Sequence, residues 1–304
     1  MKQALVLGAA GFIGRHAAHA LHEAGYTVTG IGHGGWSTQE QRAWGVDRWH
    51  ASDVSTEALM TYAGTPSVLV QAAGSGSVAF SMTHPVQDYS RSVSTTLAAL
   101  EFVRTEVPDC ALILPSSAAV YGNVATLPIG IDHPLAPVSP YGAHKAIAED
   151  LCRSYGRSFG VRSAIIRLFS IYGPGLRKQL LWDAYHKLKA GEPNFFGTGG
   201  ERRDWLHVAD AASLIVAAVD HASAQTPVVN GGTGNSTANR DVLAWMAAAL
   251  GGSCRPQFSG TPRDGDPIGH QADITEASAW GWQPRRHLPD EIVAVVDWIE
   301  HGAF

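Results

Sequence analysis

Cysteine is scarce in this chain: there are 3, Cys110, Cys152 and Cys254, odd in number, widely spaced and never in a CxxC pair. That excludes a disulfide framework and a zinc knuckle and fits a reducing cytosol. Charge is scarce too. Charged residues make up 16% of the chain, the net charge is −5 and Lys and Arg form no run, so nothing basic is available to drive nucleic-acid binding. No stretch is long and apolar enough to span a bilayer. The start, "MKQALVLGAAGFIG", passes from a short apolar run directly into glycines, without the long apolar region and cleavage site of a secretory signal. Histidine is plentiful, and His16, His19 and His22 recur at helical spacing. With no HExxH and no carboxylate in register, they are expected on a solvated helix flank, and no metal is expected.

A chain of 304 residues that is 45% hydrophobic can bury a substantial core, as one large α/β unit or two intimate lobes. Periodicity favours alternation. "QALVLGA" reads as a strand, "RHAAHALHEAG" as an amphipathic helix, and "TVTGIG" as a second strand. After a shorter link come "PSVLVQAAG", a helix through "LAALEFVRTEV", and the strand "CALILPSS". Strand and helix in repeated succession predict βαβ units, a parallel sheet and right-handed crossovers. Further on, "RSAIIRLFSIYG" reads as a buried strand with its exit loop, and "LLWDAYHKLKAGE" and "VADAASLIVAAVDHA" as helices. The close, "DEIVAVVDWIEHG", is an amphipathic helix stopped by glycine.

Gly8, Gly11 and Gly14 stand between the first strand and the first helix. A helix N-terminus there offers unpaired N–H groups and the positive end of a dipole, and glycines let the backbone approach a pyrophosphate. Further along, "SPYGAHK" places Tyr141 and Lys145 on one side of a helical turn.

With GxxGxxG at its start and YxxxK beyond, the chain resembles the extended short-chain dehydrogenases/reductases, the nucleotide-sugar epimerase and dehydratase group. "LPSSAAVYG" (114–122), "SPYGAHKAIAE" (139–149), "RLFSIYGPG" (167–175), "RRDWLHVADAA" (202–212), "VVNGGTG" (228–234) and "PRDGD" (262–266) follow in the family's order. The resemblance implies a Rossmann-type doubly wound parallel sheet, residues 1–166 plus about 205–229. A smaller C-terminal α/β lobe, about 167–204 plus 230–304, would bind the nucleotide-diphosphate sugar.

Oxidising a sugar alcohol needs a base, and a free tyrosine with pKa near ~10 is a poor one at neutral pH. A lysine one turn away can favour the phenolate, and a fall of roughly two to three pH units would bring Tyr141 into working range. The positive nicotinamide ring would help. In the relatives the lysine also bonds the nicotinamide ribose, a role that falls here to Lys145. Ser117, four residues before Tyr121, stands where the family keeps a Ser or Thr to bond the reacting sugar oxygen; the offset selects it over Ser116. Relatives that eliminate water carry an Asp-Glu pair directly after that residue. Ala118 and Ala119 cannot shuttle protons, which disfavours a 4,6-dehydratase.

The resemblance further places Gly8, Gly11, Phe12, Ile13, Gly14, Arg15, His33, Asp53, Val54, Ala72 and Ala73 at the cofactor. Asp53 falls near the adenine, although a helix N-cap is an equal reading; Ala72 and Ala73 are small residues lining the adenine side. Arg203 and Arg263 would clamp the diphosphate, Asp266 would accept from the nucleotide ribose, and Arg202 is left to the surface. Three departures stand out. The acidic residue that usually ends the second strand is absent, Gly32 and His33 taking its place, so a 2′-phosphate is not repelled and Arg15 or His33 could pair with one; NAD and NADP both remain open. Ser92 and Ser170 stand where relatives often have Asn. "GSGSVAFS" (74–81) is unusually rich in glycine and serine beside the expected sugar site.

The reading is a nucleotide-sugar 4-epimerase using NAD or NADP, with Tyr141 taking the C4 hydroxyl proton. The alternative is an NADPH-consuming 4-keto-6-deoxysugar reductase, and a third option is a non-catalytic dinucleotide-binding protein. A cytoplasmic homodimer is expected, paired through helices near 88–105 and 141–158.

Overall fold

The apolar runs of the first half become strands of one parallel sheet. The structure is a computed structural model that describes residues 2–261 and 269–302. Its strands are β1 (Gln3–Leu7), β2 (Thr27–Gly32), β3 (Arg48–Ala51), β4 (Val68–Gln71), β5 (Ala111–Ser117), β6 (Ser163–Leu168), β7 (Ser170–Tyr172), β8 (Asn194–Phe195), β9 (Arg202–His207), β10 (Val228–Gly231), β11 (Ser236–Ala238) and β12 (Gln257–Phe258). Seven of them form a sheet in the order β10-β6-β5-β4-β1-β2-β3. Chain order reverses between β1 and β4, and in such sheets the crevice at the carboxyl ends of the strands flanking the reversal receives the ligand.

Successive side chains along a strand point to opposite faces, so the sheet has two cores. Ala4, Val6, Val28, Val70 and Ile113 pack on one face beneath the helices Phe12–Glu23 and Val208–Ala218. Leu5, Leu7, Ile31, Leu69 and Leu112 pack on the other beneath Thr95–Glu106 and Pro140–Phe159. Burial on both faces explains why the central strands read as continuous apolar runs rather than alternating ones.

Two elements differ from the sequence reading. The link between β2 and β4 contains two short helices, Thr38–Ala43 and Thr56–Tyr62, and the edge strand β3. Its "RWHA" has no apolar run and is set by pairing, with Gly30 opposite Trp49. The expected exit loop after β6 is instead β7, which leaves the large sheet at Phe169 and joins a second sheet, β11-β9-β7. Tyr172, Leu181, Trp205, Met246, Ile292 and Val296 make a third core there, beneath the helices Gln179–Lys189, Asn239–Ala249 and Leu288–His301. Among the described residues no helix is long and apolar enough to cross a membrane.

Candidate active site

The helix Pro140–Phe159 starts where three local signals agree. Ser139 caps it, its Oγ accepting from the Gly142 amide at 3.2 Å; Pro140 occupies the first turn; and Gly160 ends it in the left-handed region. Gly142 allows the start to lie against the turn that follows β5, since a Cβ there would sit 2.6 Å from Ala119 O. That contact brings Tyr141 to Ser117 at the end of β5, close enough for the Ser117 hydroxyl to favour the phenolate. Lys145, one turn on and buried, donates from Nζ to Pro115 O at 2.9 Å. Ser116 points the other way, to buried Glu149 at 2.7 Å. Glu149 is also gripped by Arg167, whose other nitrogen reaches Tyr121. Ser116 thus belongs to the network tying sheet to helix, and Ser117 to the site.

Burial pushes the Tyr141 phenol above its ordinary 10; the Ser117 hydrogen bond works against that, and the Asp88 carboxylate adds to the rise. Burial also brings Lys145 down to about 8, with Asp88, Glu149 and Cys152 opposing. The group that favours the phenolate here is Ser117, while the ammonium is anchored on a carbonyl of β5.

Asp88 was invisible in the sequence. It is fully buried on the helix Pro85–Tyr89, accepts from the Ser75 hydroxyl, and lies 2.5 Å from His144 Nδ1. His144 immediately precedes Lys145, so this pair fastens the helix Pro140–Phe159 to the helix Pro85–Tyr89 and, through Ser75, to the loop after β4. Nothing local marks the contact: the partners are 56 residues apart.

At the cofactor end, a Cβ on Gly14 would fall 2.1 Å from Gly8 O, and one on Gly8 would fall 2.8 Å from Ala72 O and from Ala73. Glycine there lets β1, the first helix and the end of β4 meet in a bare-backbone cradle. No side chain caps Phe12–Glu23 and no acidic residue stands in its first turn, leaving its N–H groups for an anion. These residues fit a dinucleotide pyrophosphate. Phe12, Ile13 and Ala72 pack against one core, Val54 and Ala73 against the other. His33 Nε2 is 2.9 Å from Asp53 Oδ1, both exposed; Ser55, not Asp53, caps the helix Thr56–Tyr62. His16 departs from the expected solvated flank. Its Nε2 lies 3.1 Å from Pro174 O, its ring packs on Phe12 and Trp44, and burial brings its pKa down to about 4.

Of the residues assigned to the nucleotide sugar, Arg203 is half-buried on β9, donating to Arg202 O at 2.9 Å. Arg202 is exposed and bonds Ser236. Arg263 and Asp266 lie outside the described residues. Ser92, in a π-helical turn over Ser90–Ser94, buries a hydroxyl with no hydrogen-bond partner, near Gly74. Ser170 begins β7, half-buried. From that side Lys178 reaches over to donate to Gly76 O at 3.0 Å, bridging to the glycine-serine loop.

This arrangement has counterparts. Residues 4–232 match the NAD dependent epimerase/dehydratase family, and the chain belongs to it: an extended short-chain dehydrogenase/reductase with a Rossmann-type sheet. It is similar to a putative UDP-glucose 4-epimerase of Methanocaldococcus jannaschii, 30% identical over 98% of both chains. The UDP-glucose 4-epimerase of Azospirillum brasilense is 29% identical over 95% of this chain and 89% of the relative. Among solved structures, the UDP-glucuronic acid 4-epimerase of Bacillus cereus, in complex with UDP-glucuronic acid and NAD, superposes with a TM-score of 0.86 at 26% identity, over 99% of this chain and 100% of that one.

Proposed function

We propose that this chain is a cytoplasmic nucleotide-sugar 4-epimerase, acting on a UDP-linked hexose in a cleft between residues 1–166 plus about 205–229 and residues 167–204 plus 230–304. The observation that carries the reading is the meeting of Ser117, Tyr141 and Lys145 at the carboxyl end of β5, in the sheet that holds the glycine cradle. When bound, the nicotinamide supplies a reversible hydride acceptor. Tyr141 takes the proton of the C4 hydroxyl and later returns it; Ser117 bonds the same sugar oxygen and favours the phenolate; Lys145, held on Pro115 O, positions the nicotinamide ribose. Buried Ala118 beside Ala119 gives no acid for water elimination. Arg203, Arg263 and Asp266 hold the nucleotide diphosphate. Val86, Tyr89, Leu97 and Ile147 are exposed on the helices near 88–105 and 141–158, an apolar face supporting a homodimer.

One observation favours a second reading: Gly32, without a carboxylate, suits a reductase that binds and releases NADPH. The test separates the two. Purified protein incubated with UDP-hexoses should form the 4-epimer with no net change at 340 nm, and light scattering should give twice 32.2 kDa. Tyr141→Phe should lower the rate about 10²- to 10⁴-fold. Stoichiometric NADPH consumption with a 4-ketosugar, and no epimer, would replace the epimerase with the reductase.

A further inference from the structure

Beyond the reaction, and resting on the proposal that a dinucleotide occupies the glycine cradle, we infer that the adenosine end of the site is built for a 2′-phosphate, so that NADP is the preferred dinucleotide. The strand end that decides this choice is β2, where an acidic side chain ordinarily accepts from the 2′-hydroxyl and repels a phosphate. Here the position is bare backbone. A Cβ on Gly32 would lie 3.2 Å from the Trp49 ring and 3.3 Å from Gly8 Cα, a tight fit against β3 and the glycine turn.

A cation stands beside the segment that leaves β2. Arg15, at the first turn of the helix after the glycine cradle, donates to Ala10 O at 2.6 Å. Its guanidinium lies over the rings of Trp36 and Trp44, 5.8 and 5.5 Å from their centres. A permanent, forked charge is therefore pinned between the glycine turn and the segment leaving β2, with no carboxylate in ion-pair contact among the described residues. Two acidic groups share the neighbourhood, and the Glu40 carboxylate offsets part of the Arg15 charge. Glu40 accepts from both the amide and the hydroxyl of Ser37 in a capping box. Asp53 is held by His33. Arg177 adds a second positive field at Arg15. A 2′-phosphate carries most of two negative charges at neutral pH and meets a guanidinium in charge-assisted, bidentate fashion.

The test uses nucleotides that differ only in that phosphate. Calorimetric titration of nucleotide-free protein should show NADP+ binding about tenfold or more tighter than NAD+, and adenosine 2′,5′-bisphosphate tighter than 5′-AMP by a similar factor. Added salt should erode both differences. Arg15→Met should lose far more NADP+ affinity than NAD+ affinity. Equal binding, or tighter NAD+, overturns the inference while leaving the dinucleotide site intact. Binding of neither dinucleotide overturns the inference together with the reading beneath it. The wild-type comparison stands even if the variant folds poorly.

Discussion

Asp88 carries a negative charge into a place where the proposed chemistry asks for a phenolate. It raises both Tyr141 and Lys145, keeping the ammonium charged at neutral pH while making the phenol harder to ionise. Its side chain also holds the Ser75 loop and the His144 turn, so a structural role and an electrostatic one must be told apart. Asp88→Asn preserves the shape and removes the charge. Activity in the oxidising direction rises with pH as Tyr141 ionises, and without the Asp88 field that rise should move to lower pH. A merely structural Asp88 would give a less stable or slower enzyme whose pH–kcat/KM curve kept its midpoint.

Between elements, the decisive contact is the approach of the helix Pro140–Phe159 to the turn after β5. Gly142 sits where a methyl group would press on Ala119 O at 2.6 Å and on Pro137 Cβ at 2.9 Å, both held in ordered backbone. Gly142→Ala should therefore push the helix start away from Ser117, lowering the melting temperature by an amount equivalent to about 1–3 kcal/mol and reducing kcat more than KM. Wild-type kcat in a less stable protein would show that the contact serves stability alone. The same contact marks what the sequence could reveal. Glycine spacing and YxxxK were readable because each motif lies within one turn or loop, where spacing dictates which groups share a face. The sheet's central strands were readable because burial on both sides writes them as apolar runs. By contrast β3 owes its strand to a neighbour, Gly32 lies tight against Trp49 of the next strand, and Asp88 meets His144 through tertiary packing. Such features are properties of contacts between distant segments, which no local pattern encodes.

For the molecule as a whole, two histidines sit near the junction of the large sheet with the second sheet. His16 on the first helix bonds Pro174 O just beyond β7, and His207 ends β9 against Tyr172. Burial brings each of them down to about 4 from an ordinary 6.5. An imidazole whose folded pKa is depressed binds its proton later than in the unfolded chain. Between pH 6.5 and 4 the unfolded state therefore holds more protons, up to one for each histidine, and stability is lost as pH falls through that window. Acid exposure should accordingly unfold the protein before most surface carboxylates are neutralised. Urea unfolding across pH 7 to 4.5 checks this, with His16→Gln as the control because its amide can still donate to Pro174 O. The variant should lose close to one proton's worth of the pH slope that the wild type shows, since carboxylate contributions common to both cancel in the comparison. Identical slopes would mean that His16 titrates alike folded and unfolded, and that its place against Pro174, Phe12 and Trp44 is open to water.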